Sequence, residues 1–399
     1  MKIAIIHDNF AICGGGEKLI SILSSELEKK GHQIEIFTFD LSEDTKKIIN
    51  KKIKIHTIKE GNVSQKILFS KLRITKKFDF YIFSGYNSLA CSHRYSPNLF
   101  YCHNLPEYLG KRLITRMNDA KSEMLWEWVC KIKNKIIKKP IPCFAPYLID
   151  MLRIFLAYIS KETRKEKIKE LRENLFFNDI IFVEHIQKIV VNSKNIRNKV
   201  EKRYKRDAVV IYPPVETRKY FYRENKGYWL SINRITPKKR IEIQLKAFVR
   251  LPEEKLFVIG NKENKNYFEY LEKIKPENVF FGGVIEENDL LNKLSGCKGL
   301  IFTATDEDFG LAPVEAMASG KPVIAPNEGG CKETIINEKT GILIDDINEN
   351  KLADAVKKLG KEIDENPLKY KKACQEQAKK FDTKIFIEEM KNQIKLVSN

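Results

Sequence analysis

No run of about 18 or more uncharged apolar residues occurs in the 399-residue sequence, so a membrane-spanning helix is not expected. The eight cysteines (13, 91, 102, 130, 143, 297, 331 and 374) form no Cys-x2-Cys pair, and the six histidines do not cluster with them. That argues against a zinc site and against a small disulfide scaffold, and a reducing, cytoplasmic setting is the simpler expectation. Acidic residues are in deficit: 53 Asp plus Glu face 72 Lys plus Arg, a net charge of +19. The excess favours polyanionic partners, whether nucleic acid, an anionic membrane face or a phosphate-bearing substrate. A Lys- and Ile-rich genome would give the same excess, so charge alone does not choose. The opening "MKIAIIHDNF" has too short an apolar run for a secretory leader and reads as a first strand. No repeat of solenoid period is visible, and 43% hydrophobic with 10% aromatic residues is a globular composition.

The length implies two domains of about 150–200 residues each. Short apolar runs alternate with amphipathic segments in both halves. In the first, 2–8, 33–39, 79–85, 99–103 and 188–193 read as buried strands; in the second, 228–233, 255–260, 279–284, 299–305, 322–326 and 341–345 do. Leu19, Ile20, Leu23 and Leu27 recur at helical spacing, with Gly31 where a C-cap belongs. The pattern predicts two α/β domains with Rossmann-like parallel sheets facing a cleft. The expected boundaries are 1–208 and 209–383, near the extended "VVIYPPVE". Residues 107–187 break the alternation. The lysines of 131–139 precede an amphipathic segment, 143–160, that suits either an interfacial membrane contact or a helix packed on the first sheet.

Four stretches at expected strand ends could carry chemistry. "CGGGEK" (13–18) opens the first helix, where Gly15 and Gly16 let backbone N–H groups approach an anion. It is not the dinucleotide fingerprint, because Leu19 stands where a third glycine is needed, which disfavours an NAD-dependent dehydrogenase. "SINRITPKKR" (231–240) places Arg234 and Lys239 to neutralise a diphosphate. Positive charge in a first helical turn opposes the dipole, so a compensating interaction is expected there. His103 in "FYCHN" ends a strand and could donate to a sugar hydroxyl or move a proton. The fourth stretch, "EDFGLAPVEAMASGKPVIAP" (307–326), holds Glu307 and Glu315 around a glycine turn, with a helix expected to begin near Pro313. Backbone N–H groups around Phe309, Gly310 and Leu311 would face a ligand, and each carboxylate could accept from vicinal hydroxyls. "TDED" (305–308) imitates an Asp-x-Asp metal site, but with Arg234 and Lys239 as counter-charge no metal is expected.

Taken in this order, the motifs resemble the retaining, nucleotide-sugar-dependent glycosyltransferases of family 4, which have the GT-B fold. The resemblance rests on Glu-x7-Glu (Glu307, Glu315), Arg-x4-Lys (Arg234, Lys239), "GGGE" (14–17) and the "YCHN" strand end at His103. It spans nearly the whole chain and is nearest to mannosyltransferases of lipid-linked oligosaccharide or surface polysaccharide assembly. By position it implies that Arg234 and Lys239 hold the donor diphosphate and that Glu315 binds the ribose. Glu307 and His103 would contact the transferred sugar, with Gly15 and Gly16 beside the diphosphate and Gly260 and Val284 at the base. Such enzymes need neither a cofactor nor a divalent metal, and their last helix, here 384–396, crosses back to the first domain. Arg240 stands where the family commonly has glycine.

The resulting expectation is transfer of a hexose, best read as mannose from GDP-mannose, to a polyprenyl-linked or glycan acceptor. A peripheral position on the cytoplasmic face of an anionic membrane is the accompanying expectation. Another nucleoside diphosphate hexose of the same family is the alternative. A basic nucleic-acid-binding protein is a distant one, since the lysines form no continuous face with aromatics. A family member without activity is disfavoured by the complete motif set.

Overall fold

The computed structural model describes residues 1–12, 14–60, 65–105 and 179–398. The residues up to Asn104 and from Ile186 onward make one compact unit, which holds two parallel sheets. The basic and amphipathic segments expected within 131–160 lie outside the described residues, so the membrane reading placed there has no structural description.

The first sheet has seven strands: β1 (Lys2–His7), β2 (Gln33–Thr38), β3 (Lys54–Thr57), β4 (Phe80–Ser84), β5 (Asn98–Cys102), β6 (Lys188–Val191) and β7 (Val209–Val210). Their order is β3-β2-β1-β4-β5-β6-β7, every pair parallel. The second sheet has the order β10-β9-β8-β11-β12-β13, from β8 (Tyr228–Ile232), β9 (Lys255–Ile259), β10 (Val279–Gly283), β11 (Leu300–Ile301), β12 (Val323–Pro326) and β13 (Gly341–Ile344). In each, the chain direction across the sheet reverses beside the first strand, between β1 and β4 and between β8 and β11. Ligands of open parallel sheets bind at such switch points, beyond the carboxyl ends of the strands.

Each sheet has its own core. On the first, Leu19, Ile20, Leu23 and Leu27 from the helix Gly15–Lys29 pack against Ile3, Ile5 and Ile36. That helix stops in a Schellman turn: Gly31 (φ 86°) donates to Glu28 O and His32 to Leu27 O. The C-terminal helix Thr383–Ser398 contributes Phe386, Ile387, Met390 and Ile394 to the same core, with the Phe386 ring 6.0 Å from Tyr101. On the second, Trp229, Leu230, Val258 and Ile324 are fully buried among the flanking helices.

The chain crosses between the sheets twice. The outgoing crossing is Tyr212–Val215; the return is Phe381–Thr383. They pair side by side, Val215 N donating to Phe381 O and Thr383 N to Val215 O. Because Val209–Val210 pairs with β6, the changeover falls at Pro213–Pro214, within the expected "VVIYPPVE" stretch and a few residues beyond 208/209. The edge strand β3 was not anticipated: "KIHT" is only four residues long and none of them is fully buried. The run 299–305 is strand only at Leu300–Ile301, because the backbone beyond turns to meet the loop after β8.

Candidate active site

The site lies at the carboxyl ends of β1, β4 and β5 on one side and of β8 and β11 on the other. Beyond β8, Pro237–Lys239 forms a single 3-10 turn, and the helix Ile241–Val249 starts only after Arg240. Lys238 and Lys239 therefore do not sit in an α-helical first turn, and the dipole conflict expected there does not arise. Thr303 pins the turn: its hydroxyl lies 2.7 Å from Lys239 O and accepts from Gln244 Nε2 at 2.7 Å. Arg240 occupies the left-handed region (φ 48°), which explains why glycine suits the position. Its guanidinium donates to Thr303 O and Ala304 O and pairs with Glu328, tying the β8 loop to the loop after β11.

Lys239, expected at the diphosphate, and Glu307, expected at the sugar, pair directly with each other. Lys239 Nζ donates to Glu307 Oε2 at 2.6 Å; the two side chains are 13% and 25% exposed. Arg234 is set apart, 70% exposed on the rim with its nearest acid Glu263 at 3.4 Å. The metal-like acids are engaged by cations: Lys199 lies 2.8 Å from Asp306 and 3.6 Å from Asp308. Among the described residues no three His, Cys, Asp or Glu side chains are gathered as a metal-ligand set. Glu307 itself is held from behind by Gly329–Gly330, where Gly330 N donates to Glu307 O at 2.7 Å. A Cβ at Gly330 would meet Phe309 Cα at 2.4 Å, so the close approach requires glycine.

The helix expected from Pro313 begins at Leu311, capped by Gly310 (φ 87°) without a side-chain acceptor. Phe309 turns its ring into the core, 5.6 Å from Tyr212 and 5.5 Å from Phe381, so only its backbone can face a ligand. Glu315 is partly buried, and loss of water pushes its carboxyl above the ordinary range. The charge of Lys18 and a hydrogen bond donated by Tyr220 oppose that rise.

The first domain meets this helix at the glycine turn. A Cβ on Gly15 would lie 3.1 Å from Leu311 Cδ1, and one on Gly16 would lie 3.7 Å from the His103 ring. His103 follows β5 and is partly buried. Burial pushes it down to about 3, and the charge of His7 adds to this, so the imidazole is neutral near physiological pH. Gly260 and Val284 lie past β9 and β10, at the other end of the second sheet's carboxyl edge. Val284 is 75% exposed.

Several site residues were not visible in the motifs. Glu333 crosses between domains, accepting the N–H groups of Lys194 and Asn195 at 2.8 Å each and the Tyr212 hydroxyl at 3.1 Å. Asn195 Nδ2 donates to Asp306 Oδ1 and to Glu307 O. His7 and Ser84 lie behind His103 and are linked to it by hydrogen bonds. The strand-end position of His7 and Ser84 was the one available signal.

Residues 215–381 match the family model described as glycosyl transferases group 1. The chain is 23% identical to the alpha-1,3/1,6-mannosyltransferase ALG2 of Kluyveromyces lactis over 84% of its own length and 71% of that protein. The ALG2 of Mus musculus is 34% identical over 29% of this chain and 32% of that one. Among solved structures, Anabaena HepE in complex with UDP and glucose superposes with a TM-score of 0.69 at 16% identity, covering 99% of each chain. Sucrose-phosphate synthase from Thermosynechococcus elongatus does so with 0.69 at 15%, covering 99% of this chain and 98% of that one. The two parallel sheets, their paired switch points and these likenesses make the chain a glycosyltransferase of GT-B fold, with residues 215–381 similar to the glycosyl transferases group 1 model.

Proposed function

We propose that the protein transfers mannose from GDP-mannose to a polyprenyl-linked or glycan acceptor, with retention of configuration and without a divalent metal. The observation that carries this reading is the convergence of Lys239, Glu307, Glu315, the glycine turn and His103 on one gap between two switch points. The similarity to ALG2 mannosyltransferases over most of the chain supports mannose as the sugar.

In this reading Lys239 and Arg234 meet the charge that develops on the leaving diphosphate, together with the uncapped N–H groups at Leu311. Lys239 now neutralises Glu307 at 2.6 Å. A bound diphosphate would compete for the ammonium and free Glu307 to accept from sugar hydroxyls. Glu315 accepts from the ribose, and His103 reaches the sugar from the first domain. Gly260 and Val284 border the base. Neither carboxylate needs to act as a glycosidase-type acid or base, since both need not flank one bond.

Glu307→Ala and Arg234→Ala, assayed with GDP-, UDP- and ADP-sugars, test the reading. Both should lose most of the transfer seen for the wild type with GDP-mannose, and EDTA should leave wild-type transfer unchanged. Full activity in both variants overturns the site, and preference for UDP- or ADP-sugars overturns the donor. The +19 charge supports a peripheral position on the cytoplasmic face of an anionic membrane. Co-sedimentation with anionic vesicles should weaken when the lysines of 131–139 are replaced, and no change counts against it.

A further inference from the structure

Behind His103 two buried polar groups that none of the sequence motifs requires, Ser84 and His7, lead to Glu17 of the "GGGE" stretch. Ser84, fully buried at the end of β4, bridges two imidazoles: its Oγ lies 2.9 Å from His7 Nδ1 and 2.7 Å from His103 Nε2. The far nitrogen of His7, Nε2, lies 3.6 Å from Glu17 Oε1. That is too long for a good hydrogen bond and short enough for a charge contact. Glu17 in turn accepts the N–H of Gly14 at 2.9 Å, so the same carboxylate closes the glycine turn.

A hydroxyl has one proton, so Ser84 can donate to only one of the two rings and must accept from the other. When His7 carries both protons, its Nδ1–H donates to Ser84. Ser84 then donates to His103 Nε2, which leaves the proton of neutral His103 on Nδ1. When His7 is neutral, the carboxylate of Glu17 favours the proton on Nε2, and bare Nδ1 accepts from Ser84. The serine must then accept from His103 Nε2–H, and His103 Nδ1 becomes a bare acceptor.

We propose that Ser84 and His7 are positioning residues that set the tautomer of His103, so that its Nδ1 is a hydrogen-bond donor while His7 is protonated and an acceptor once it is not. The groups facing His7 are Glu17 from the first helix, Asp8 on its own strand end and His103 beyond β5. Asp8 is held among Asn87 and Ser88 N–H groups and pushed up by burial; Glu17, which burial alone would raise, is held below its ordinary value by His7 and by backbone N–H groups. Because His103 itself stays neutral, its change is one of proton position and not of charge. The consequence for transfer rests on the sugar-contact role proposed for His103; the tautomer coupling does not.

The test is nitrogen NMR of ring-15N-histidine protein, with His103 assigned by His103→Gln among the six histidines. In the wild type the His103 signals should change from protonated Nδ1 to protonated Nε2 between the low-pH form, in which His7 carries both protons, and the high-pH form, in which it carries one. In Ser84→Ala and in His7→Asn that change should vanish. In kinetics, kcat/KM for the donor should show a step of about five- to tenfold between the same two forms in the wild type, the worth of one well-placed hydrogen bond, and none in either variant. A His103 tautomer that is constant across the titration, or that moves equally in Ser84→Ala, overturns the proposal. Full transfer by His103→Ala with the NMR coupling intact would instead sink the sugar-contact reading and leave the relay standing.

Discussion

Replacing Glu333 by alanine should loosen the contact between the two domains across the site. Its carboxylate accepts the N–H groups of Lys194 and Asn195, the first two residues of the helix Lys194–Tyr204, at 2.8 Å each. Hydrogen bonds to a charged acceptor are worth about 1.5–3 kcal/mol. Glu333 is only partly protected from solvent, so about 1 kcal/mol for each amide is the fitting figure. A carboxylate at a helix N-terminus adds about 0.5 kcal/mol. The total, about 2.5 kcal/mol, is roughly 70-fold in the equilibrium between joined and separated domains. A donor held by both domains binds only the joined form, so its KM should rise by up to that factor while kcat stays within about twofold. Small-angle scattering should show a larger radius of gyration for Glu333→Ala without donor, recovered at saturating donor. Glu333→Gln should fall between, and Glu338→Gln, which disturbs only a surface pair with Lys358, should change neither quantity. An unchanged radius together with an unchanged KM in Glu333→Ala would refute the latch.

Three further outcomes follow from single positions. Gly260→Ala places a Cβ 1.7 Å from Asn233 O at φ 144°, and should lower unfolding stability by more than about 2 kcal/mol in urea denaturation; an unchanged midpoint refutes the clash. Arg240→Gly relieves a left-handed conformation worth about 1 kcal/mol but removes the guanidinium's bonds to Thr303, Ala304 and Glu328. The net expectation is a lower melting temperature, and a higher one refutes it. Burial pushes Asp308 up to about 6 against the pull of Lys199, with Glu307 and Asp306 adding to the rise. A carboxyl raised above its ordinary 3.8 keeps its proton longer in the folded state, so this contribution is present at low pH and is lost as pH rises through about 6. Asp308→Asn should remove that part of the pH dependence of stability, and an identical profile counts against it.

What was legible followed from local pattern. Buried strands such as "KIAIIH" and "YWLSI" announce themselves as unbroken apolar runs, and the residues just after them fall at carboxyl ends by topology. That placed Lys239, Glu307 and His103 without any coordinates. The edge strand at Lys54–Thr57 hid because it is only four residues long, exposed at both ends and nowhere fully buried. The two-residue Val209–Val210 hid because prolines follow so soon. The pairings escaped for a different reason. Glu333 meets Lys194 across 139 residues and Ser84 meets His103 across 19, and neither partner carries a periodic signal. Arg234, expected with Lys239 at the diphosphate, is exposed beside Glu263, so its position after β8 was legible in the sequence but its partner was not.

The pairing of Glu307 with Glu315 changes meaning once their partners are known. The Glu307 carboxylate is held by Lys239 of the second domain, whereas its backbone oxygen accepts from Gly330 N and, across the domains, from Asn195 Nδ2. Glu315 takes its hydrogen bond from Tyr220, beyond the crossing, and its favourable charge from Lys18 on the first domain's glycine-turn helix. One carboxylate therefore belongs to a site assembled within one domain, and the other feels whether the two domains are joined. Separation of the domains, as in Glu333→Ala, would leave the 2.6 Å Lys239–Glu307 pair intact and take Lys18 from Glu315. Without that cation, burial raises the Glu315 carboxyl further, and a protonated carboxyl is a poorer acceptor for ribose hydroxyls. Joining the domains thus supplies the charge that opposes the burial-driven rise of the Glu315 carboxyl, and under the proposed ribose contact that would favour acceptance there.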